Sequence, residues 1–230
     1  MATTGGANII TDGLSVSFDA ANIKSYPGSG TTWYDKSGNN YSGSLVNSPT
    51  FNPEFGGYIN LDGSNDYIDV SSWDNSGTVQ TVEMWARWRS GISDMFVGFT
   101  SYDIWTNGGN LGFNTGEGDV YGISSAQVSN LNLVGTLQSN WHHYIFEFTT
   151  QVQNNKIFID GVQQELSQQV GTTNLTSTRS FPTTFEIGSW NNSNGYYFTG
   201  DVATFRLYKK SFTAKDALQN YNATKSRFGL

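Results

Sequence analysis

Two tryptophans stand in segments rich in glycine and amide side chains. Trp105 lies within Asp103-Ile104-Trp105-Thr106-Asn107-Gly108-Gly109, and Trp190 within Gly188-Ser189-Trp190-Asn191-Asn192-Ser193-Asn194-Gly195-Tyr196-Tyr197. An indole packs on the C–H face of a sugar ring while amides pair with its hydroxyls. Trp105 and Trp190 are therefore candidate platforms, with Asn107, Asn192 and Tyr197 as the groups that orient a sugar by hydrogen bonds. The competing reading makes each indole a loop anchor tucked into the edge of the core. A contact of this kind is weak, around millimolar or about 4 kcal/mol, so attachment through it draws on many copies.

Other chemistry is sparser. The turn Asp62-Gly63-Ser64-Asn65-Asp66 is rich in oxygen ligands of the kind a calcium ion needs, and the plainer reading is that Asp62 and Asn65 are turn formers. His142 and His143 are the only histidines. Adjacent on a strand, they point to opposite faces, so they cannot share one metal or one triad; one is expected to pack and the other to be exposed. With no cysteine there is no thiol nucleophile. Glu54, Glu83, Glu117, Glu147, Glu165 and Glu186 are scattered singly, and Asp66 and Asp69 face opposite sides of a strand. A carboxylate pair assembled from two different strands is left open.

The elements that must position these residues follow a two-residue period. Leu14, Val16 and Phe18 alternate with polar residues; Val82, Met84, Ala86 and Trp88 alternate with Glu83, Trp85, Arg87 and Arg89; Tyr144, Phe146 and Phe148 alternate with His143, Ile145 and Glu147. Shorter strands are expected over residues 58–62, 67–70, 95–99, 111–114, 120–123, 156–159, 162–166, 185–188 and 202–208, and residues 25–48 read as a long ordered loop. Asp160-Gly161 between strand-like runs predicts a type I′ hairpin. One helix is predicted near residues 213–222, capped by Thr213 with Asp216 three residues on, stapled by Phe212 and Ala217, with Ala214, Leu218 and Tyr221 on one face. This is the pattern of an all-β sandwich or barrel.

Composition agrees. Charged residues make up 13% of the 230-residue chain, against roughly 25% in ordinary soluble domains, so solubility rests on neutral polar groups. A net charge of -7 repels phosphate backbones and argues against nucleic acid as a partner. Residues 1–11 read as a polar arm ahead of one domain over residues 12–230, without a secretory leader or a membrane-inserting run. The expectation is synthesis in a cytoplasm.

Several segments, in order, resemble the concanavalin A-like lectin/glucanase superfamily, in particular the laminin-G-like domains of tailed-bacteriophage structural proteins. They are Asp12-Gly13-Leu14 through Asn22; residues 25–39 with Trp33-Tyr34-Asp35; Leu61-Asp62-Gly63-Ser64-Asn65-Asp66-Tyr67-Ile68; Trp141-His142-His143-Tyr144; Ile157-Phe158-Ile159-Asp160-Gly161; and residues 198–230. The resemblance implies an antiparallel two-sheet jelly roll with one short C-terminal helix, and a binding or virion-structural role more often than catalysis. The laminarinase-type enzymes of the superfamily carry two glutamates flanking an aspartate on one strand, and no Glu-x-Asp-x-x-Glu occurs here. Many relatives hold a structural calcium in their loops, which implies Asp19, Asp62, Asn65 and Asp66 as ligands, with Asp35 and Asp201 nearby. Ala203 and Thr204 stand where the commoner pattern has an acidic residue. The implied function is a non-catalytic virion surface protein of a tailed phage, present in multiple copies, contacting other virion proteins and bacterial surface polysaccharide. A free carbohydrate-binding module is the alternative, and a glycan hydrolase or lyase the third reading.

Overall fold

The alternating runs pair into two antiparallel sheets packed face to face; the computed structural model describes residues 8–190 and 195–230. The eight-stranded sheet runs Val162–Gln163, Lys156–Ile159, Trp141–Thr149, Val79–Ser90, Thr199–Tyr208, Tyr58–Asp62 and Thr50–Asn52, with Leu14–Asp19 paired to the far half of Thr199–Tyr208. The nine-stranded sheet runs Ser167–Val170, Val120–Ile123, Asn110–Asn114, Asp103–Asn107, Met95–Gly98, Phe185–Ile187, Tyr67–Val70, Gly43–Val46 and Thr32–Trp33. The stretch read as a loop over residues 25–48 thus contributes two short strands, the outer of them, Thr32–Trp33, forming the sheet's edge. No helix among the described residues is long and apolar enough to cross a membrane.

Period-two alternation decides what lies between the sheets. Val82, Met84, Ala86 and Trp88 meet Tyr144, Phe146 and Phe148 from the neighbouring strand, and Ile68, Phe96, Ile104, Phe113, Phe185 and Ile187 close the core from the other sheet. Phe96 stands at its centre, edge-on to Trp88 and Tyr144 at 5.6 and 5.3 Å. The Asp160-Gly161 hairpin has positive φ at both turn residues, 51° and 81°, as a type I′ turn requires.

The outward row Glu83, Trp85, His143, Ile145, Arg206 and Tyr208 is not solvated. The C-terminal helix Ala214–Thr224 and the short helix Lys225–Phe228 cover it. The cap is as the spacing predicts: Thr213 Oγ1 accepts from Asp216 N, and Asp216 Oδ2 accepts from Thr213 N. Phe212 and Ala217 share one buried cluster. The helix face is a correction. Ala214 and Leu218 are exposed, while Ala217 and Asn220 are buried. The amide of Asn220 donates to Glu83 and to the Tyr208 hydroxyl, so a polar anchor rotates the helix away from its most apolar edge. Farther back, Ser124 and Gln127 cap a second helix, Ser125–Asn130, in a segment with no strong periodicity. Residues 8–11 of the expected arm lie against the C-terminal helix, where Ile10 N donates to Asn220 Oδ1.

Candidate functional site

Asp103, Trp105 and Asn107 share the outer face of their strand, because Ile104 between them points into the core. Trp105 is therefore a strand residue and not a loop residue. It is 6% exposed, and its indole N–H donates to the Asp119 carbonyl at 3.0 Å. Its cross-strand neighbours are Met95 and Gly112. Gly112 in turn faces Gly122, and a side chain at Gly112 would meet the Tyr121 carbonyl oxygen at 2.6 Å, so these strands stay bare beside the indole.

The chain returns to this spot after residue 194. Trp190 packs against Met95, Trp105 and Val120, and its indole N–H donates to the Thr100 carbonyl at 2.6 Å. Tyr196 fits between the two tryptophans, edge-on to Trp105 at 5.3 Å and to Trp190 at 5.9 Å. Its carbonyl accepts from Met95 N at 2.6 Å, its φ is 53°, and it is 47% exposed. Together with Met95, Asn114, Gly116 and Gly118 these aromatic residues line a notch of about 150 Å³.

The glycine wall is held in place by carboxylates. Asp119 accepts from Thr115 N at 2.9 Å and from the Thr115 and Thr173 hydroxyls. Asn107 donates to the Gly118 carbonyl at 3.2 Å. Asp103 accepts from Phe99 N and from Asn114 Nδ2. Burial pushes the Asp103 carboxyl up to about 7, helped by the charge of Asp119 and opposed by the Phe99 N–H. Burial likewise pushes Asp94 up to about 6; its Oδ2 accepts from Thr199 N, just past Tyr196.

The structure thus brings Trp105 and Trp190 into one cluster and sets Asn107 behind the glycine wall. Tyr197 lies elsewhere, its ring 6.4 Å from Tyr67. Asn192 falls outside the described residues. Tyr196 takes the central place, and no local pattern distinguishes it from Tyr197; only the backbone bond to Met95 does. Trp105, with its edge closed and its N–H spent, is the wall of the notch, and the exposed aromatic surface belongs to Tyr196 and the half-buried Trp190.

The Laminin_G_3 family, described as Concanavalin A-like lectin/glucanases superfamily, matches residues 62–217. The chain belongs to this superfamily. Among solved structures, this concanavalin A-like domain is similar to the binding domain of botulinum neurotoxin DC in complex with rat synaptotagmin II. The TM-score is 0.64 at 16% identity, covering 94% of this chain and 52% of that one. Similar values hold for botulinum neurotoxin type C, whose cell entry is described as dependent upon interaction with two ganglioside molecules (TM-score 0.63, 16% identity, 94% and 52% covered). They hold too for the neurotoxin DC binding domain in complex with SialylT (TM-score 0.61, 16% identity, 93% and 52% covered). The chain spans about half the length of these solved chains, and the likeness is one of fold. No match is found among curated protein sequences.

The implied calcium ligands do not fit a calcium cage. Asp19 lies opposite Thr204 and Asp62 opposite Thr199 on the same strand, five residues apart in register, or about 17 Å. Asp19 instead pairs with Arg227 at 2.8 Å, and Asp201 with Arg87 at 2.8 Å. Asp62 Oδ1 accepts from Ser64 N and Asn65 N, and Asp66 Oδ2 from Asp62 N. Among the described residues no three acidic or histidine side chains gather as a metal site. Addition of a chelator is therefore expected to leave the melting temperature of this domain unchanged; a fall reversed by calcium would restore the metal reading.

Neither histidine is exposed, which corrects the expectation for one of them. His142 lies 2.7 Å from Asp160, and the fully buried His143 lies 2.9 Å from Glu83. A cross-strand carboxylate pair does form: Asp69 and Glu186 face each other in register, and burial pushes both carboxyls up. Glu186 is 5% exposed, and its Oε2 has no partner among the described residues.

Proposed function

We propose that this domain is a non-catalytic binding module whose notch takes a saccharide, with Tyr196 and Trp190 as the stacking surface and the Asn114 to Gly118 wall supplying polar contacts. The observation that carries this reading is the exposed Tyr196 ring, braced edge-on between two tryptophans whose own N–H groups are already bound. Rigid aromatics held this way lose little entropy when a ligand packs on them. The lectin-type fold and its likeness to domains described as receptor-binding support the same class.

The order of sequence motifs supports a place on the surface of a tailed-phage particle, where many copies would compensate for weak single sites. The partners are then other virion proteins and bacterial surface polysaccharide. Tyr196→Ala and Trp190→Ala are each expected to weaken binding on a glycan array about tenfold or more, while purified particles keep the protein. Loss of the altered protein from particles would make the notch an assembly interface instead.

The Asp69 and Glu186 pair favours one second reading, a glycan hydrolase. Burial of Glu186 weighs against it, since an acid must reach the scissile oxygen. Release of reducing sugar by the purified domain, abolished in Glu186→Gln, would establish it.

A further inference from the structure

A second cavity, of about 310 Å³, lies on the opposite sheet, where the C-terminal segment crosses the outward row. Asp19, Trp85, Thr204, Arg206, Thr224, Ser226, Arg227 and Phe228 are among its lining residues. Arg206 is 5% exposed, and one side of its guanidinium is committed, Nη1 donating to Glu83 at 2.8 Å. Its Nε–H is buried with no partner among the described residues. The neighbouring Arg227 is spent differently: Nε donates to the Phe55 carbonyl, Nη1 to Asp19 and Nη2 to the Gly57 carbonyl.

We propose that this cavity binds a small monoanionic carboxylate with an apolar face, of the size of a uronic acid or an aromatic acid. A guanidinium is always charged and recognises a carboxylate through paired N–H groups, and Arg206 retains an unpaired edge. Ala223, half-buried, offers an apolar contact on its wall. The Ser226 and Thr204 hydroxyls suit a ligand that also carries oxygen. Asp19 at the rim repels a dianion about twice as strongly as a monoanion, which favours a carboxylate over phosphate. The volume falls at the lower end of that found for small-molecule pockets. The proposal is independent of the notch, which lies on the other sheet.

The test is calorimetric titration of the intact domain with sodium glucuronate and with sodium benzoate, set beside glucose and inorganic phosphate. Saturable binding of at least one carboxylate is expected, with glucose and phosphate much weaker. Ser226→Trp places an indole at the exposed rim without touching the Arg206 and Glu83 pair, and is expected to weaken carboxylate binding about tenfold or more. Arg206→Lys is expected to do the same by removing the fork. Absence of saturable carboxylate binding at millimolar concentrations, equal binding of phosphate, or full binding in a folded Ser226→Trp variant would each overturn the proposal.

Discussion

Replacing Glu83 with alanine is expected to destabilise the domain by about 3–5 kcal/mol, a fall in melting temperature of roughly 6–20 °C for a chain of this length. Glu83 is fully buried and serves four partners: Arg206 at 2.8 Å, His143 at 2.9 Å, the Tyr208 hydroxyl at 2.9 Å and Asn220 at 2.7 Å. Truncation strands the nearly buried Arg206 charge without its carboxylate partner, and releases the amide that docks the C-terminal helix. The wild-type pH dependence follows from the same cluster. Burial alone would raise the Glu83 carboxyl, but Arg206 and His143 outweigh it and hold it down at about 2. A depressed carboxyl contributes stability that is complete above its unfolded value and is lost as pH falls from about 4.5 towards 2. Thermal melts between pH 2 and 6 check this: the acid-side slope should shrink in Glu83→Ala. A variant that melts within a degree or two of wild type would show the cluster to be dispensable.

Asp103→Asn is expected to remove a pH-dependent loss of stability of up to about 4 kcal/mol that the wild type suffers on approaching neutral pH. Asp103 is buried with its carboxyl pushed from 3.8 up to about 7. The sign is opposite to that of Glu83. Folded and unfolded states are protonated alike below pH 4, and the folded state holds its proton more tightly above that. Its contribution is therefore complete at low pH and is lost as pH rises through about 7. Asp94, raised to about 6, acts in the same direction. Wild-type stability should thus peak on the acidic side of neutral and decline as pH rises from about 4 to about 7, with the decline reduced in Asp103→Asn. Since Asp103 also holds Asn114 in the wall of the notch, the same measurement reports on the site's scaffold. Equal slopes in both proteins between about pH 4 and 7 would show that Asp103 ionises freely in the folded state.

Local chemistry in the chain determined most of the architecture. Alternation marks which strand residues share a face, Asp-Gly sets a hairpin by its φ requirement, and the Thr213 and Asp216 spacing sets a helix start; each acts over a few residues and needs no distant partner. The same locality explains why Trp105 and Trp190 stand out in the sequence as a pair of aromatic residues near amides. What the chain cannot declare locally is which of its faces another segment covers. Alternation puts Glu83, Trp85 and His143 on the face away from the inter-sheet core, and only the C-terminal helix, some 130 residues after Glu83, makes that face a buried one. Asp19 looks like a free ligand until Arg227 reaches it. Tyr196 and Tyr197 are chemically alike, and a backbone hydrogen bond to Met95 puts only the first in the notch. The tertiary structure decided these points because burial, charge pairing and the shape of a cavity depend on residues that meet only when the two sheets and the C-terminal segment pack together.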